Sequence, residues 1–154
     1  MTSRQKRLYQ LLGNPDDRNF IKNNLVKIEF LGHKVLVHKK VWKYFNMVDI
    51  MIEKLKADDE IQYCFDVVQT YCNRQMRGSK NKSLHSWGIA VDINPATNGY
   101  YIGWQATEKG RHLWKRDIPL KVIQVFENNG FIWGGRWKTI KDFMHFEIKN
   151  EVIN

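Results

Sequence analysis

His85 and Asp92 stand seven residues apart in the segment Ser83-Leu84-His85-Ser86-Trp87-Gly88-Ile89-Ala90-Val91-Asp92-Ile93-Asn94. A second segment far downstream, Asp142-Phe143-Met144-His145-Phe146-Glu147, adds another imidazole and two more carboxylates. A catalytic zinc site needs three protein ligands of nitrogen or oxygen type and one open position for water. His85, Asp92 and His145 are the expected ligands of one such Zn2+ ion. A water attacking a carbonyl at that position needs a base to take its proton. Asp142, three residues before His145, is the candidate base. Glu147 competes for that role, but is better suited to orienting a ligand histidine. A carboxylate such as Asp92, flanked by Val91 and Ile93, is costly to bury unless it is paired or bound to a metal. His33, His38 and His112 lack such surroundings and read as packed or surface histidines.

Two strands must carry these groups. Between Gly88 and Asn94, alternation sends Ile89, Val91 and Ile93 to a core face and Ala90, Asp92 and Asn94 to a small, polar face. Gly88 allows a bend that can bring His85 and Asp92 to one ion. The strand expected over Phe143 to Lys149 places Met144, Phe146 and Ile148 in the core and His145 and Glu147 opposite, with Asp142 at its entrance.

Elsewhere, residues 4–25 predict one or two short helices, and Val26 to His38 a hairpin around Leu31-Gly32-His33. The spacing of Val41, Phe45, Val48, Ile52 and Leu55 predicts a helix over residues 41–56. Ile61 to Val68 predicts a strand, followed by a polar loop from Thr70 to Ser83, and residues 95–116 read as irregular. Asp117 is placed to cap a helix from Ile118 to Asn128, with Pro119 in its first turn and Gly130 past its end. The expected architecture is a single α+β domain over residues 1–154, with an N-terminal helical segment (1–25) and the zinc-site core in 60–149. A small antiparallel sheet would carry the zinc site, with helices on its other side.

The chain has 154 residues, 43% of them hydrophobic and 13% aromatic, enough for one core and too much for a disordered chain. Lys and Arg number 25 against 16 Asp and Glu, a net charge of +9 that favours polyanionic partners without choosing among them. Cys64 and Cys72 form neither a disulfide framework nor a Cys-x-x-Cys pair and read as free thiols. No apolar run is long enough to span a membrane. The segment after the basic N-terminus is too short and polar for a signal-peptide core. Synthesis in the cytoplasm is expected, with any action outside the membrane following release or attachment to a larger particle.

Ser-x-His-x-x-Gly-x-Ala-x-Asp followed by Asp-x-x-His-Phe-Glu resembles the zinc D-alanyl-D-alanine carboxypeptidase and L-alanyl-D-glutamate peptidase family. That family includes phage endolysins, and its fold is shared with hedgehog signalling domains. Tyr71 to Ser79 resembles the family's arginine-bearing loop, and Gly130 to Trp137 its Gly-Phe-x-Trp-Gly-Gly-x-Trp stretch, so the likeness covers about residues 60–149. The resemblance implies His85, Asp92 and His145 as zinc ligands and Asp142 as the general base. Arg74 most nearly matches the arginine that steadies the scissile carbonyl or its oxyanion, with Arg77 close enough to be the match instead. Ser83 is expected to orient the loop or a ligand histidine. Trp87, Trp133 and Trp137 could line a cleft or pack the core.

The implied activity is hydrolysis of a stem-peptide bond in bacterial peptidoglycan, either L-Ala–D-Glu in the manner of a phage lysin or the terminal D-Ala. The implied partners are the stem peptide and the anionic wall surface, met by a monomer. Two other classes are a catalytically silent wall-binding module and a nucleic-acid-binding protein. Asp142 argues against the first. The scattered basic residues and absence of a nucleic-acid motif argue against the second.

Overall fold

In the computed structural model, which describes residues 1–154, the N-terminal segment forms two short helices where one or two were expected, α1 (Ser3–Leu12) and α2 (Phe20–Asn24). The alternating run that follows is the hairpin β1 (Leu25–Phe30) and β2 (His33–His38), with Phe30 opposite His33. Leu31 and Gly32, the two residues of its turn, both have positive φ, 51° and 82°. That combination matches the right-handed twist of the flanking strands. The backbone N–H of Leu31 donates to the Asp49 carboxylate at 2.7 Å, which holds a leucine in this uncommon conformation.

Helix α3 (Trp42–Ala57) buries Phe45, Val48 and Ile52, the stripe that the spacing predicts. The sheet that carries the site follows. Strands β3 (Val68–Gln69) and β4 (Ala90–Ile93) are its first two in sequence. The pair β5 (Tyr100–Ile102) and α4 (Leu120–Asn128) come next along the chain, then β6 (Phe131–Trp133), β7 (Ile140–Asp142) and β8 (His145–Ile148). The main sheet has the order β3-β4-β8-β6, antiparallel throughout, and β5 pairs with β7 in a separate ribbon. Val91, Ile93, Phe146 and Ile148 are fully buried on one face. Phe126 of α4 stacks on Phe146 with ring centroids 4.0 Å apart, and Phe45 of α3 meets Phe131 edge-on at 5.0 Å. The helices therefore cover the apolar face and leave the other for chemistry, the α+β arrangement expected.

Four expectations need correction. Ile61 to Val68 is not a strand; only Val68 and Gln69 join the sheet. The backbone of this stretch is instead satisfied partly by side chains. Asn94 accepts from the Val67 N–H at 2.9 Å and donates to the Cys64 carbonyl at 2.8 Å, and the His33 ring bonds the Phe65 carbonyl at 2.6 Å. The region 95–116 is not wholly irregular, since it contains β5 and two 3-10 turns, Gly103–Ala106 and Glu108–Leu113. Helix α4 begins at Leu120, and Asp117 does not cap it. That carboxylate accepts from Tyr63 and Asn98 instead. Finally, Asp142 ends β7 rather than opening the strand of His145, and Phe143 and Met144 form the turn between them.

Gly88 follows a 3-10 turn, Leu84–Trp87, with φ 69° and ψ 33°. A Cβ there would lie 3.0 Å from the His38 nitrogen and 3.1 Å from Leu25 Cδ2, so both the dihedral and the space demand glycine. Gly32 has a similar φ but open space around it. Gly88→Ala should cost about 2–4 kcal/mol in urea unfolding, the sum of left-handed strain and overpacking. Gly32→Ala should cost only the strain, about 1–2 kcal/mol. Equal losses would show that the close approach at Gly88 contributes nothing.

Candidate metal centre and active site

Asp92 and His145 are register partners across the β4–β8 ladder. Residues directly opposite in an antiparallel pair project to the same face, with their side chains within reach of each other. His145 Nδ1 accordingly lies 3.0 Å from Asp92 Oδ1. Two residues further along the same face, Glu147 Oε1 lies 3.0 Å from His145 Nε2. Both partners of this ring are carboxylates, a setting that favours the protonated imidazole while no metal is bound.

His85 enters from the 3-10 turn. Ser83 caps that turn, its Oγ accepting from the His85 backbone N–H at 3.3 Å. The imidazole Nδ1–H donates to the Thr70 carbonyl at 2.6 Å, which fixes the tautomer and leaves Nε2 facing the site. This nitrogen is buried without a hydrogen-bond partner, and lies 3.3 Å from Asp92 Oδ1. One donor atom from each of His85, Asp92 and His145 falls within 4.8 Å of the others. A buried, unpaired imidazole lone pair beside a carboxylate is costly, and a cation held between them removes the cost. The residues thus fit a divalent metal of the kind that takes imidazole and carboxylate ligands.

The electrostatics separate the carboxylates. Burial pushes Asp92 up, but its hydrogen bond with His145 outweighs it and holds the carboxyl well below its usual range. Glu147 behaves the same way: burial raises it, while His145 and Arg4 bring it below its ordinary value. Burial alone would lower the His145 imidazolium, yet its two carboxylate partners lift it to about 10. Asp142 goes the other way. Burial pushes it up to about 6; among the charges around it, His145 and His85 pull down and Asp92 and Glu147 push up. Its Oδ1 is buried with no partner. β7 comes this close to the 3-10 turn Gly134–Arg136 because residue 134 is glycine, where a Cβ would collide with the Asp142 carbonyl. A carboxylate with near-neutral acidity and a free oxygen is suited to proton transfer.

The arginines part company. The Arg74 guanidinium is exposed and reaches only the Gln75 carbonyl, at 3.4 Å. Arg77 lies 5.3 Å over the ring of Tyr100, the strand partner of Asp142. Of the tryptophans, Trp87 is fully buried and donates from Nε1 to the Gly13 carbonyl at 2.9 Å, so it packs the core and offers no surface to a substrate. Trp133 is also buried, donating to the Phe143 carbonyl at 2.9 Å. Trp137 is half-buried against His145, with ring centroids 5.6 Å apart, and forms a wall of the site. Trp104 is exposed, and Trp114 packs on Phe143 and carries Arg111 and Lys141 over its ring.

Sequence reasoning missed the Thr70 carbonyl, Ser86 and Arg4. Ser86 Oγ accepts from the Arg74 N–H at 3.0 Å and donates to its carbonyl at 2.9 Å, tying the loop to the turn that bears His85. A second serine one helical step from the histidine was the available signal for it. A backbone carbonyl, and an arginine 143 positions from the Glu147 that it meets, leave none.

Residues 77–148 match the family model described as D-alanyl-D-alanine carboxypeptidase. The matched stretch is a little under half of the chain, and over it the chain is similar to that peptidase family. Over 67 residues, 44% of the chain, it is 34% identical to the peptidoglycan L-alanyl-D-glutamate endopeptidase CwlK of Bacillus subtilis (strain 168), and the aligned stretch spans 40% of that protein's length. The matched family segment contains His85, Asp92, Asp142, His145 and Glu147, and it leaves out helix α1.

The raised Asp142 pKa has a cost. Its unfolded value, near 3.8, lies below its folded value, so the folded state binds the proton more tightly. Stability is therefore lost as pH rises from about 4 to 6, and the full penalty persists above that window. Asp142→Asn removes the charge. In the presence of a chelator it should be more stable than the parent at pH 8, by about 1–3 kcal/mol, and the gain should vanish near pH 4. Chemical denaturation at the two pH values checks this; no difference at pH 8 would show that the carboxylate is not strained by burial.

Proposed function

We propose that this chain is a zinc-dependent peptidase that cuts the L-alanyl–D-glutamate bond of peptidoglycan stem peptides, as a phage-type lysin does. The observation that carries the reading is the convergence of His85, Asp92 and His145 donor atoms within 4.8 Å, with the half-buried carboxylate of Asp142 in electrostatic reach. The likeness to CwlK supports this choice of bond.

Zinc held by His85 Nε2, an Asp92 oxygen and a His145 ring nitrogen would supply a Lewis acid that polarises the scissile carbonyl and acidifies water. The chain does the rest. Thr70 holds the His85 tautomer by accepting from Nδ1–H, and Glu147 orients His145 by accepting from Nε2–H. Asp142 takes the proton from the attacking water and passes it to the departing amine nitrogen. Arg77, poised over Tyr100 on the strand paired with Asp142, is better placed than Arg74 to steady the oxyanion. Trp137 gives the substrate an aromatic wall beside His145. Arg111, Arg116, Arg136 and Lys141 rest on Trp114, Phe143 and Trp133 close to β7, and this cationic flank suits an anionic wall.

A second reading, release of terminal D-Ala, is favoured by the description of the matched family. Digestion of intact sacculi followed by mass spectrometry of the released peptides separates the two. A new amine on D-Glu is expected. Release of D-Ala alone would establish the carboxypeptidase, and binding without cleavage would establish a silent wall-binding module. Asp142→Ala should retain zinc and lose about 100-fold or more in turnover; unimpaired turnover removes Asp142 as the base.

Carboxylates flank both His145 nitrogens and favour the protonated ring, so ligation by His145 should expel a proton. Calorimetric titration with zinc in buffers of different ionisation enthalpy should register about one proton released per ion. A signal independent of buffer would mean that zinc displaces no proton from His145.

A further inference from the structure

Glu147 is almost fully buried and uses its two oxygens differently. Oε1 lies 3.0 Å from His145 Nε2, and Oε2 lies 2.6 Å from Arg4 Nη2. Arg4 belongs to the first turn of α1, 143 residues away in sequence. Its guanidinium is gripped at a second edge, where Nε donates to Asn150 Oδ1 at 3.0 Å. A planar fork held at two edges fixes the plane of the carboxylate that it meets. The next residue acts on the other arm of the site. Gln5 donates from Nε2 to the Lys82 carbonyl at 3.0 Å and accepts from the Lys82 N–H at 3.2 Å, three residues before His85. Helix α1 thus holds both chain segments that bring imidazoles to the centre, although it lies outside the segment that matches the peptidase family.

We propose that Arg4 is a positioning residue of the metal centre: by fixing the Glu147 carboxylate it aims the His145 ring. The proposal rests on the zinc reading above. A carboxylate that orients a ligand histidine commonly governs metal affinity by 10–100-fold, and Arg4 sets the orientation of this one. Without the guanidinium, Oε2 would face a buried environment that already holds Asp92 and Asp142, and Glu147 would turn toward water.

Arg7 provides the control. It anchors the same helix by donating to the Asn150 carbonyl at 2.9 Å and the Ile153 carbonyl at 2.6 Å, and its bonds do not include Glu147. Zinc affinity is measured by chelator competition for the parent chain, Arg4→Gln, Arg4→Lys and Arg7→Gln, with kcat and KM on a stem peptide. Arg4→Gln should lose about 10–100-fold in zinc affinity and lose kcat with little change in KM. Arg4→Lys should recover part of both losses, and Arg7→Gln should bind zinc like the parent. Parental affinity in Arg4→Gln overturns the proposal, as do equal losses in Arg4→Gln and Arg7→Gln, which would reduce Arg4 to a helix anchor. In either case a zinc-loaded parent leaves the reading of the site intact. A parent that takes up no zinc sinks that reading and this proposal together.

Discussion

The pairing of β4 with β8 in the register that sets Asp92 opposite His145 is the constraint on which the site depends. The period of a strand is two, so a slip by one residue would turn both side chains into the core and bring Val91 and Phe146 out. The apolar face prevents that slip: Val91, Ile93, Phe146 and Ile148 are wholly buried under α3 and α4, with the stacked pair Phe126–Phe146 at its centre. The site is positioned by packing on the side of the sheet that does no chemistry.

Within that frame, environment assigns different work to similar groups. Asp92, half-buried, and Glu147, buried, are carboxylates that find cationic partners, and both stay ionised. Asp142 is half-buried with less compensation and one orphaned oxygen, and its acidity moves toward neutrality. Groups pushed apart in this way can hold a metal and shuttle a proton in the same small space. The third element is the 3-10 turn, where Ser83 and Ser86 serve the backbone while the Thr70 carbonyl serves the ring of His85.

Much of this was legible in the residues. The hairpin followed from alternation around Leu31-Gly32, and α3 from its apolar spacing. The common face of His145 and Glu147 follows from strand periodicity alone, as does the burial of Val91 and Ile93. Other features were not legible because their causes lie elsewhere in the chain. Ile61 to Val67 has the composition of a strand, but Asn94 and His33 supply its backbone partners. β5 exists because β7 comes alongside it, and the short run Tyr100–Ile102 carries no alternation of its own. Trp87 sits two residues from a candidate ligand, yet it is consumed by packing against Tyr9 and by its bond to Gly13. The grip of α1 on Glu147 and Lys82 could not be foreseen from local pattern, since it joins the two ends of the sequence.

The order of strands in the main sheet carries a kinetic implication. β8 is the last of its four strands along the chain, yet it lies in the interior, between β4 and β6. Its pairing with β4 therefore joins residues more than 50 positions apart, and such contacts pay their loop-closure entropy before they return any energy. A nascent or refolding chain would hold β4 with an open, unpaired flank until β8 docks. The imidazole and carboxylate on facing strands then meet in the same event that closes that flank, so the capacity to bind a cation should arise abruptly, together with native packing.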